Sequence, residues 1–323
     1  MGKLRHGLVI PLLATALLAG ACGTKTSSTS SGASSTTAPT FSAATTMAAL
    51  QQKGKIIVGT KFDQPLFGLK NPLTGAIEGF DVEIAKIMAQ GIYGGSLADA
   101  AKHIQFVETV SKVREPSIQE GKVDIVVATY TINNTRKQVV DFAGPYYIAG
   151  QDIMVRKDDT SIKSVTDLNG KKVCSVQGST SLANVAAKAP KADLSITFDS
   201  YSKCAEALKD GRVQAETTDN VILAGLVKDN KDAFRLVGAP FTTEPYGIGL
   251  KKGDDAFRQF LNDRIEASYR DGSWAAAYEQ TVGTAGIPTP PPPPVDRYSS
   301  TPAPASPTAT VSTPTPTVTS TSR

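Results

Sequence analysis

Apolar and polar positions follow two different periods along the middle of the chain. Residues 55–60 (KIIVGT) and 123–129 (VDIVVAT) are short, nearly continuous apolar runs, which is the pattern of buried strands. Residues 81–88 instead place their apolar side chains on one face of a helix that Asp81 can cap. Helices and strands alternate over about residues 50–282, which predicts an α/β protein with largely parallel sheets.

One seven-residue pattern occurs twice in this region. Residues 118–124 (IQEGKVD) resemble residues 208–214 (LKDGRVQ), and each copy has a helix end, a glycine stop and a strand start. Continued in register, the first strand ends at residues 129–131 and the second at Asp219. Because ligands of open α/β sheets bind at the carboxyl ends of the strands, the repeat predicts two similar lobes that face a cleft. A chance match over seven residues is the alternative.

The first residues have the composition of a secretion signal. Lys3 and Arg5 precede an apolar run at residues 8–18, which is too short to span a bilayer as a helix. Small residues then lead into Cys22, which resembles the bacterial lipobox, whose cysteine is acylated. We expect a lipoprotein signal peptide at residues 1–21 and a lipid anchor on the outer face of the cell membrane. The alternative is an ordinary signal peptide with an incidental Cys22.

Two further segments cannot bury enough apolar surface to fold. Residues 22–49 are rich in Ser and Thr and are expected to be a flexible tether behind the acylated cysteine. Residues 284–323 are rich in Pro, Thr and Ser and are expected to be a disordered tail. We divide the part between them into lobe 1, residues 50–145 with 246–283, and lobe 2, residues 146–245.

Composition narrows the choice of partner and compartment. The net charge of +4 is spread over 34 basic and 30 acidic residues without a basic cluster, so we expect no nucleic-acid partner. With Cys22 acylated, Cys174 and Cys204 are an even pair in an exported protein, which predicts a disulfide. Two buried free thiols are the alternative.

The residue types that carry catalysis are scarce. The chain has only His6 and His103, and it lacks the zinc, nucleophile-elbow and phosphate-loop motifs. We therefore expect no catalytic residue, no metal and no cofactor. A mechanism that uses only carboxylates, such as Glu78, Glu108 or Glu216, is a remote alternative.

Groups at three strand ends suit the recognition of an amino acid zwitterion. Residues 129–136 (TYTINNTR) combine hydroxyl groups with a helix start, and Arg136 offers a planar fork for a carboxylate. Residues 177–181 (QGSTS) open another helix, whose backbone N–H groups can bind an anion. Asp219 can accept an ammonium group. Taken singly, Arg136 as a surface charge and Asp219 as a helix cap are the alternatives, but their joint placement favours a binding site.

Five short motifs carry a resemblance to a known family. They are Gly79-Phe80-Asp81-Val82, Val123-Asp124 through Arg136, Asp141-Phe142 through Tyr146-Tyr147, Gly178-Ser179-Thr180 and Thr218-Asp219. Over about residues 55–283 the chain resembles the polar amino acid solute-binding proteins of ABC importers. It is especially similar to actinobacterial-type glutamate-binding lipoproteins, which share VGTK near the start and the two cysteines. The resemblance implies a two-lobed periplasmic-binding-protein fold of type II (Venus flytrap), with strands crossing at a hinge near residues 150–155 and 241–249.

The resemblance also assigns roles in the cleft. Thr131 and Arg136, helped by Thr180, are expected to hold the α-carboxylate of the ligand. Asp219 is expected to hold its α-ammonium group. The full set of ligand-binding residues that we expect is Lys61, Ser111, Arg114, Thr129, Tyr130, Thr131, Arg136, Gln177, Thr180, Tyr201 and Asp219.

Selectivity for the ligand side chain depends on two further cations. Lys61, Ser111 and Arg114 match positions that family members with acidic ligands use for the distal carboxylate. Tyr201 lies where some members have a histidine near the ligand. Two cations favour glutamate or aspartate over the amides, because an amide would leave the cations unpaired. The alternative is that Lys61 and Arg114 form salt bridges or face solvent.

Together these features predict a monomeric, extracytoplasmic lipoprotein that captures glutamate or aspartate and delivers it to an ABC permease in the membrane. A glutamine- or asparagine-binding protein is one alternative, and an amino acid sensor that signals to a membrane partner is another. An enzyme is a remote alternative, since the same fold carries dehydratases and lytic transglycosylases.

Overall fold

The structure is a computed structural model that describes residues 37–298. Its α-helices are α1 (Thr46–Lys53), α2 (Phe80–Tyr93), α3 (Leu97–Ala101), α4 (Arg114–Gln119), α5 (Asn134–Lys137), α6 (Thr180–Lys188), α7 (Tyr201–Lys209), α8 (Asn220–Asp229), α9 (Asp255–Asp271) and α10 (Ser273–Glu279). Its strands are β1 (Ile56–Thr60), β2 (Asp63–Gln64), β3 (Gly68–Lys70), β4 (Ile77–Glu78), β5 (Ile104–Glu108), β6 (Ile125–Val126), β7 (Asp141–Ala149), β8 (Gln151–Arg156), β9 (Val173–Val176), β10 (Thr197–Phe198), β11 (Ala215–Asp219), β12 (Phe234–Leu236) and β13 (Glu244–Leu250).

Within residues 37–298, no helix is both long enough and apolar enough to cross a membrane. The predicted signal peptide at residues 1–21 and the predicted lipid attachment at Cys22 lie outside the described residues. Both therefore stay predictions.

Two five-stranded sheets form the centres of the two lobes. In lobe 1 the strand order is β5-β1-β6-β13-β7; β1 runs parallel to β5 and β6, and β13 pairs antiparallel with β6 and β7. In lobe 2 the order is β10-β9-β11-β8-β12, with β9 parallel to β10 and β11. The predicted α/β class with two lobes is confirmed.

The repeated pattern occupies equivalent places in the two sheets. β6 and β11 are each the third strand of their sheet. Each follows a helix whose C-cap residue precedes a glycine of positive φ, Gly121 at 67° and Gly211 at 76°, a conformation that glycine adopts without a Cβ penalty. β6 is shorter than the strand predicted at residues 123–129, and the chain turns at Thr129, where φ is 44°.

The hinge lies where two strands pass between the sheets. β7 belongs to lobe 1, and β8, which begins at Gln151, belongs to lobe 2. β13 returns to lobe 1 and pairs with residues 147–149 from Glu244 onward. The chain therefore passes from lobe 1 to lobe 2 at Gly150, rather than between residues 145 and 146 as predicted. The reason is that the last residues of β7 still pair with β13 in the sheet of lobe 1.

Lobe 1 begins earlier than predicted. Helix α1 starts at Thr46, and the side-chain oxygen of Thr45 accepts a hydrogen bond from the first turn. Met47 and Leu50 are buried in the core of lobe 1. The predicted tether is therefore wrong for residues 46–49, because burial of these apolar side chains fixes the helix to the lobe.

A C-terminal segment, residues 287–298, also lies against lobe 1. Val295 packs on the apolar core. The Tyr298 ring lies between two cations, 3.8 Å from Lys137 Nζ and 4.4 Å from the guanidinium carbon of Arg258. The predicted disorder of the tail is therefore wrong for this segment, since apolar and cation–π contacts hold it. The rest of the predicted tail lies outside the described residues.

Cys174 on β9 and Cys204 on α7 form a disulfide, so the predicted pairing is confirmed. Their Cα atoms are 5.6 Å apart, and 30 positions separate them in sequence. The bond joins the strand that leads toward Thr180 to the helix that begins with Tyr201.

Replacing both cysteines by serine is expected to lower the free energy of unfolding by about 3–4 kcal/mol, because the denatured chain regains the freedom of an open loop of roughly 30 residues. Urea denaturation of the Cys174→Ser/Cys204→Ser variant beside the native chain measures this difference. A reductant should destabilise the native chain and leave the variant unchanged. A loss below about 1 kcal/mol would contradict this account of the bond.

Candidate functional site

The two lobes enclose a small cavity near the carboxyl ends of β6 and β11. Its volume is about 10 Å³, and its lining residues are Ser111, Arg114, Thr129, Ser179, Thr180, Ser181, Tyr201, Asp219 and Ile222. Six of these belong to the predicted ligand-binding set. A cavity of this size holds a single water, so the lobes must move apart before a molecule the size of an amino acid can enter.

The lobe 2 wall starts at the turn after β9. Gly178 has a φ of 76°, and a Cβ added there would lie 2.6 Å from Lys112 Cα of lobe 1, so this approach of the two lobes requires glycine. Ser179 then caps α6, its Oγ accepting a hydrogen bond from Leu182 N at 3.0 Å. This cap fixes Thr180 in the first turn of α6, where the helix has backbone N–H groups without an intrahelical acceptor.

Lys61 follows β1 and lies entirely within the protein. Only 1% of the residue is exposed, and Nζ donates a hydrogen bond to Ser111 Oγ at 2.9 Å. Burial, together with the nearby positive charge of Arg114, lowers the pKa of Lys61 to about 7. Asp63 and Asp81 oppose this shift from a distance, but within residues 37–298 Lys61 forms no ion pair.

Arg114 is the second buried cation of lobe 1. Its Nη1 donates to Ala128 O at 3.0 Å, and its guanidinium carbon lies 4.3 Å from the centre of the Tyr130 ring. Burial and the charge of Arg136 lower the pKa of Arg114 to about 10. Like Lys61, Arg114 has no carboxylate partner in the described part of the chain.

Arg136 bridges the lobes beside this pair. Its Nε forms an ion pair with Glu115 at 3.0 Å, and its Nη1 donates to Thr131 O at 2.7 Å. Its Nη2 crosses to lobe 2 and donates to Gly178 O at 3.2 Å. The guanidinium also lies 4.9 Å from the Tyr130 ring. Arg136 is therefore buried, and the alternative of an exposed surface charge does not apply.

Tyr130 belongs to the site without lining the cavity. Its fully buried ring supports both guanidinium groups. The sequence placed Tyr130 at the ligand, whereas the structure places its ring against the side chains of Arg114 and Arg136.

Asp219 ends β11 and is 3% exposed. Its Oδ2 accepts a hydrogen bond from the Tyr246 hydroxyl at 2.5 Å, while its Oδ1 is buried without a partner in residues 37–298. Burial and the nearby Glu244 charge raise the pKa of Asp219 to about 7. Although Asp219 precedes α8, its side chain makes no capping hydrogen bond. A buried acceptor without a donor beside a cavity is suited to a cationic group of a ligand.

The hydroxyl groups of Thr131 and Thr180 both donate to Glu244, which the sequence did not identify. The distances to Glu244 Oε2 are 2.8 Å from Thr131 Oγ1 and 2.9 Å from Thr180 Oγ1. The two threonines thus meet across the cleft at a carboxylate of the protein itself, and their expected role at the ligand α-carboxylate stays a prediction. The sequence feature that could have identified Glu244 is its position, as an acidic residue near the start of the predicted crossing strand at residues 241–249.

Of the two remaining residues that were expected at the ligand, Tyr201 lies at the cavity and Gln177 does not. The Gln177 side chain is exposed and donates to Thr197 Oγ1 at 3.1 Å, so the structure does not bring it to the cavity. The reason is the turn at Gly178, which leaves Gln177 beside β10. Tyr201 lines the cavity, and burial and the charge of Asp219 raise its pKa to about 12.

Asp81 is a second residue whose role differs from the prediction. α2 begins at Phe80 with Gly79 as its cap, so the predicted capping role of Asp81 is wrong. The Asp81 carboxylate instead accepts hydrogen bonds from Thr129 N at 2.8 Å and from the Tyr146 hydroxyl at 2.5 Å. Burial raises the pKa of Asp81 to about 6. Asp81 therefore holds the turn that places Thr129 at the cavity.

Known proteins resemble this chain over most of its length. It is 43% identical to the ABC transporter glutamine-binding protein GlnH of Bacillus subtilis (strain 168) over 283 residues, covering 87% of this chain and 98% of that protein. It is 40% identical to the glutamate-binding protein GluB of Corynebacterium glutamicum over 238 residues, covering 72% and 80%. A solved structure of an ancestral arginine-binding protein bound to glutamine matches with a TM-score of 0.65 and 37% identity, covering 71% of this chain and 98% of that one.

These matches agree with the architecture of two five-stranded sheets joined at a hinge, the type II fold that the sequence predicts. Residues 56–284, which contain both sheets and the cavity, match one family along their whole extent. The chain belongs to the bacterial extracellular solute-binding proteins, family 3.

Proposed function

We propose that this protein is the extracytoplasmic binding component of an ABC importer and that it captures glutamate or aspartate between its lobes. The observation that carries the choice of an acidic ligand is the pair Lys61 and Arg114. Both are buried, and neither has a carboxylate partner in the described residues. A ligand carboxylate would supply the missing charge.

Each polar group of glutamate would have a counterpart that lines the cavity, as Arg114 and Asp219 do, or lies next to its lining, as Lys61 and Arg136 do. The distal carboxylate pairs with Lys61 and Arg114, and the α-ammonium group pairs with the free Oδ1 of Asp219. The α-carboxylate pairs with Arg136 and with the backbone N–H groups in the first turn of α6. When the lobes open, Nη2 of Arg136 loses its partner Gly178 O and becomes available to the ligand.

Glutamine is the second candidate. It is favoured by the relative from Bacillus subtilis, which is named a glutamine-binding protein and matches a larger part of the chain than GluB does. The α-groups would bind in the same way. The amide, however, would leave two buried cations without an anion, which is why we place glutamate first.

Calorimetric titration with glutamate, aspartate, glutamine and asparagine tests the proposal. The protein should span residues 37–298, because the segment at residues 287–298 is part of lobe 1. Tight one-to-one binding of an acidic ligand, with weaker binding of its amide, is the expected result. A preference for glutamine would replace the first candidate by the second, and binding of none of the four would overturn both.

The importer role also includes a membrane anchor at Cys22. Labelling of cells with a radioactive fatty acid should mark the native chain and not a Cys22→Ala variant, which should be released from the membrane. If the Cys22→Ala variant still carried the fatty-acid label, acylation at Cys22 would be contradicted.

The affinity for glutamate is expected to be highest near pH 7. The pKa of Asp219 is raised to about 7, so at lower pH its carboxyl must release a proton before it pairs with the ligand ammonium group. The pKa of Lys61 is lowered to about 7, so at higher pH its amine must take up a proton before it pairs with the distal carboxylate. On either side the dissociation constant should rise by up to about tenfold per pH unit.

Titrations with glutamate and glutamine over about pH 5.5 to 8.5 separate the two effects. Both ligands should lose affinity at acid pH, because both carry the ammonium group that meets Asp219. Only glutamate should lose affinity at alkaline pH, because glutamine has no distal charge. An alkaline loss of equal slope for both ligands would contradict the placement of Lys61 at the ligand side chain.

A further inference from the structure

Glu244 is a buried carboxylate at the point where the chain returns from lobe 2 to lobe 1. It is the first residue of β13, pairs with Ala149 and is 3% exposed. No cation of the described chain forms an ion pair with it. A buried charge without a counter-ion is costly unless several donors hold it.

Four hydrogen bonds hold Glu244, and they come from both sides of the cleft. Oε2 accepts from Thr131 Oγ1 of lobe 1 at 2.8 Å and from Thr180 Oγ1 of lobe 2 at 2.9 Å. Oε1 accepts from Asn184 Nδ2 of lobe 2 at 3.0 Å and from Thr242 Oγ1 beside it at 2.8 Å. Two of the four donors therefore lie on α6, which belongs to the opposite lobe.

Separation of the lobes would break the contacts to α6. Glu244 travels with lobe 1 through its pairing with β7, whereas Thr180 and Asn184 travel with lobe 2. Opening would leave the carboxylate with two donors and would expose it to water. The four hydrogen bonds are therefore complete only when the lobes are closed.

We propose that Glu244 is a closure latch, a positioning residue that stabilises the closed arrangement by accepting hydrogen bonds from both lobes. The inference rests on the proposed function, because closure matters through ligand capture. In the closed arrangement the hydroxyl groups of Thr131 and Thr180 both donate to Glu244.

A closure latch makes a specific prediction about affinity. If Glu244 raises the population of the closed form, its loss lowers the apparent affinity for every ligand by the same factor. A residue that touches the ligand side chain would instead change the ratio between glutamate and glutamine. This difference separates a latch from a specificity residue.

The test compares two variants. Glu244→Leu removes all four acceptor contacts. Glu244→Gln retains one acceptor oxygen, and its amide N–H groups can donate to the neighbouring hydroxyl groups. We expect both ligands, glutamate and glutamine, to bind about tenfold more weakly to Glu244→Leu than to the native chain. The affinities of Glu244→Gln should lie between those of Glu244→Leu and the native chain. Small-angle X-ray scattering without ligand should give a larger radius of gyration for Glu244→Leu than for the native chain.

Two matched variants of Thr180, which lies in lobe 2, keep the test valid if Glu244→Leu fails to fold. Thr180→Val removes the hydroxyl with little change of shape, whereas Thr180→Ser retains it. The valine variant should lose affinity for both ligands equally, and the serine variant, which keeps the hydroxyl group, should lose less affinity than the valine variant. Adding Thr180→Val to Glu244→Gln should cost less than the product of the two separate losses, because both disturb one hydrogen-bond group.

The outcomes that overturn the latch differ from those that overturn the proposed function. Failure of the native chain to bind any amino acid would remove the proposed function, while the scattering comparison would still report on closure. Native binding that is unchanged by both Glu244→Leu and Thr180→Val would overturn the latch alone. A loss confined to one ligand would also overturn it.

Discussion

The Asp219→Asn variant is expected to bind glutamate and glutamine about 30-fold more weakly than the native chain, or weaker still. Asparagine retains the shape of the side chain but replaces a carboxylate oxygen with an uncharged group. The ligand ammonium group would then lose the carboxylate that we place directly opposite it. Loss of one member of a buried, hydrogen-bonded charge pair costs about 2–5 kcal/mol, which sets this magnitude.

Glu216 provides a matched control on the same strand. It lies on β11, it is fully buried, and both of its carboxylate oxygens lack hydrogen-bond partners among the described residues. Burial raises the pKa of Glu216 well above its usual range, and Glu216→Gln keeps the shape of a side chain that does not line the cavity. Calorimetry should show native affinity for Glu216→Gln. Native affinity for Asp219→Asn would remove Asp219 from the ligand site.

The Lys61→Met variant is expected to bind glutamate about 10- to 100-fold more weakly and to change glutamine binding by less than about threefold. Methionine retains a long apolar stem in the buried site but removes the charged donor that we place at the distal carboxylate. The glutamine amide does not need that charge. The variant should therefore shift the ratio of the two dissociation constants toward glutamine.

Lys55→Met is the control for long-range charge. Lys55 is exposed just before β1, where its Nζ donates to Gln105 Oε1 at 3.0 Å. Removal of this solvated charge should leave both dissociation constants unchanged, because water and salt screen it. Equal losses for glutamate and glutamine in Lys61→Met would show that Lys61 supports the site as a whole and does not select the side chain.

Much of the fold is local enough to be predicted from the sequence. The apolar runs at β1 and around β6, the glycine stops at Gly121 and Gly211, and the paired cysteines are each recognisable over a few residues. The errors lie at boundaries that depend on distant partners. The sequence of residues 287–298 has the composition of a disordered tail, yet Tyr298 finds Lys137 and Arg258 more than 30 positions away.

The candidate site divides in the same way. Arg136 and Asp219 could be proposed as ligand-binding residues because each lies near the end of a predicted strand, whereas Lys61 and Arg114 could be proposed only through the family resemblance. The burial of these four residues and the shifted pKa values of Lys61, Arg114 and Asp219 could not be predicted, because they depend on the desolvation and the neighbouring charges that tertiary folding brings about. Gln177 shows the reverse case, since one turn at Gly178 was enough to direct a predicted ligand residue to the surface.

The amino-acid sequence was enough to predict an α/β chain of two lobes, one disulfide and a set of cations and carboxylates at strand ends. It did so because apolar periodicity, glycine turns and residue charge are properties of short segments. Three features became known from the folded chain alone: Thr131 and Thr180 share the carboxylate of Glu244, and, among residues 37–298, Lys61 and Arg114 have no paired anion and Asp219 Oδ1 has no donor. Hydrogen bonds and ion pairs form between groups that meet in space, and the closing of the lobes determines which groups meet.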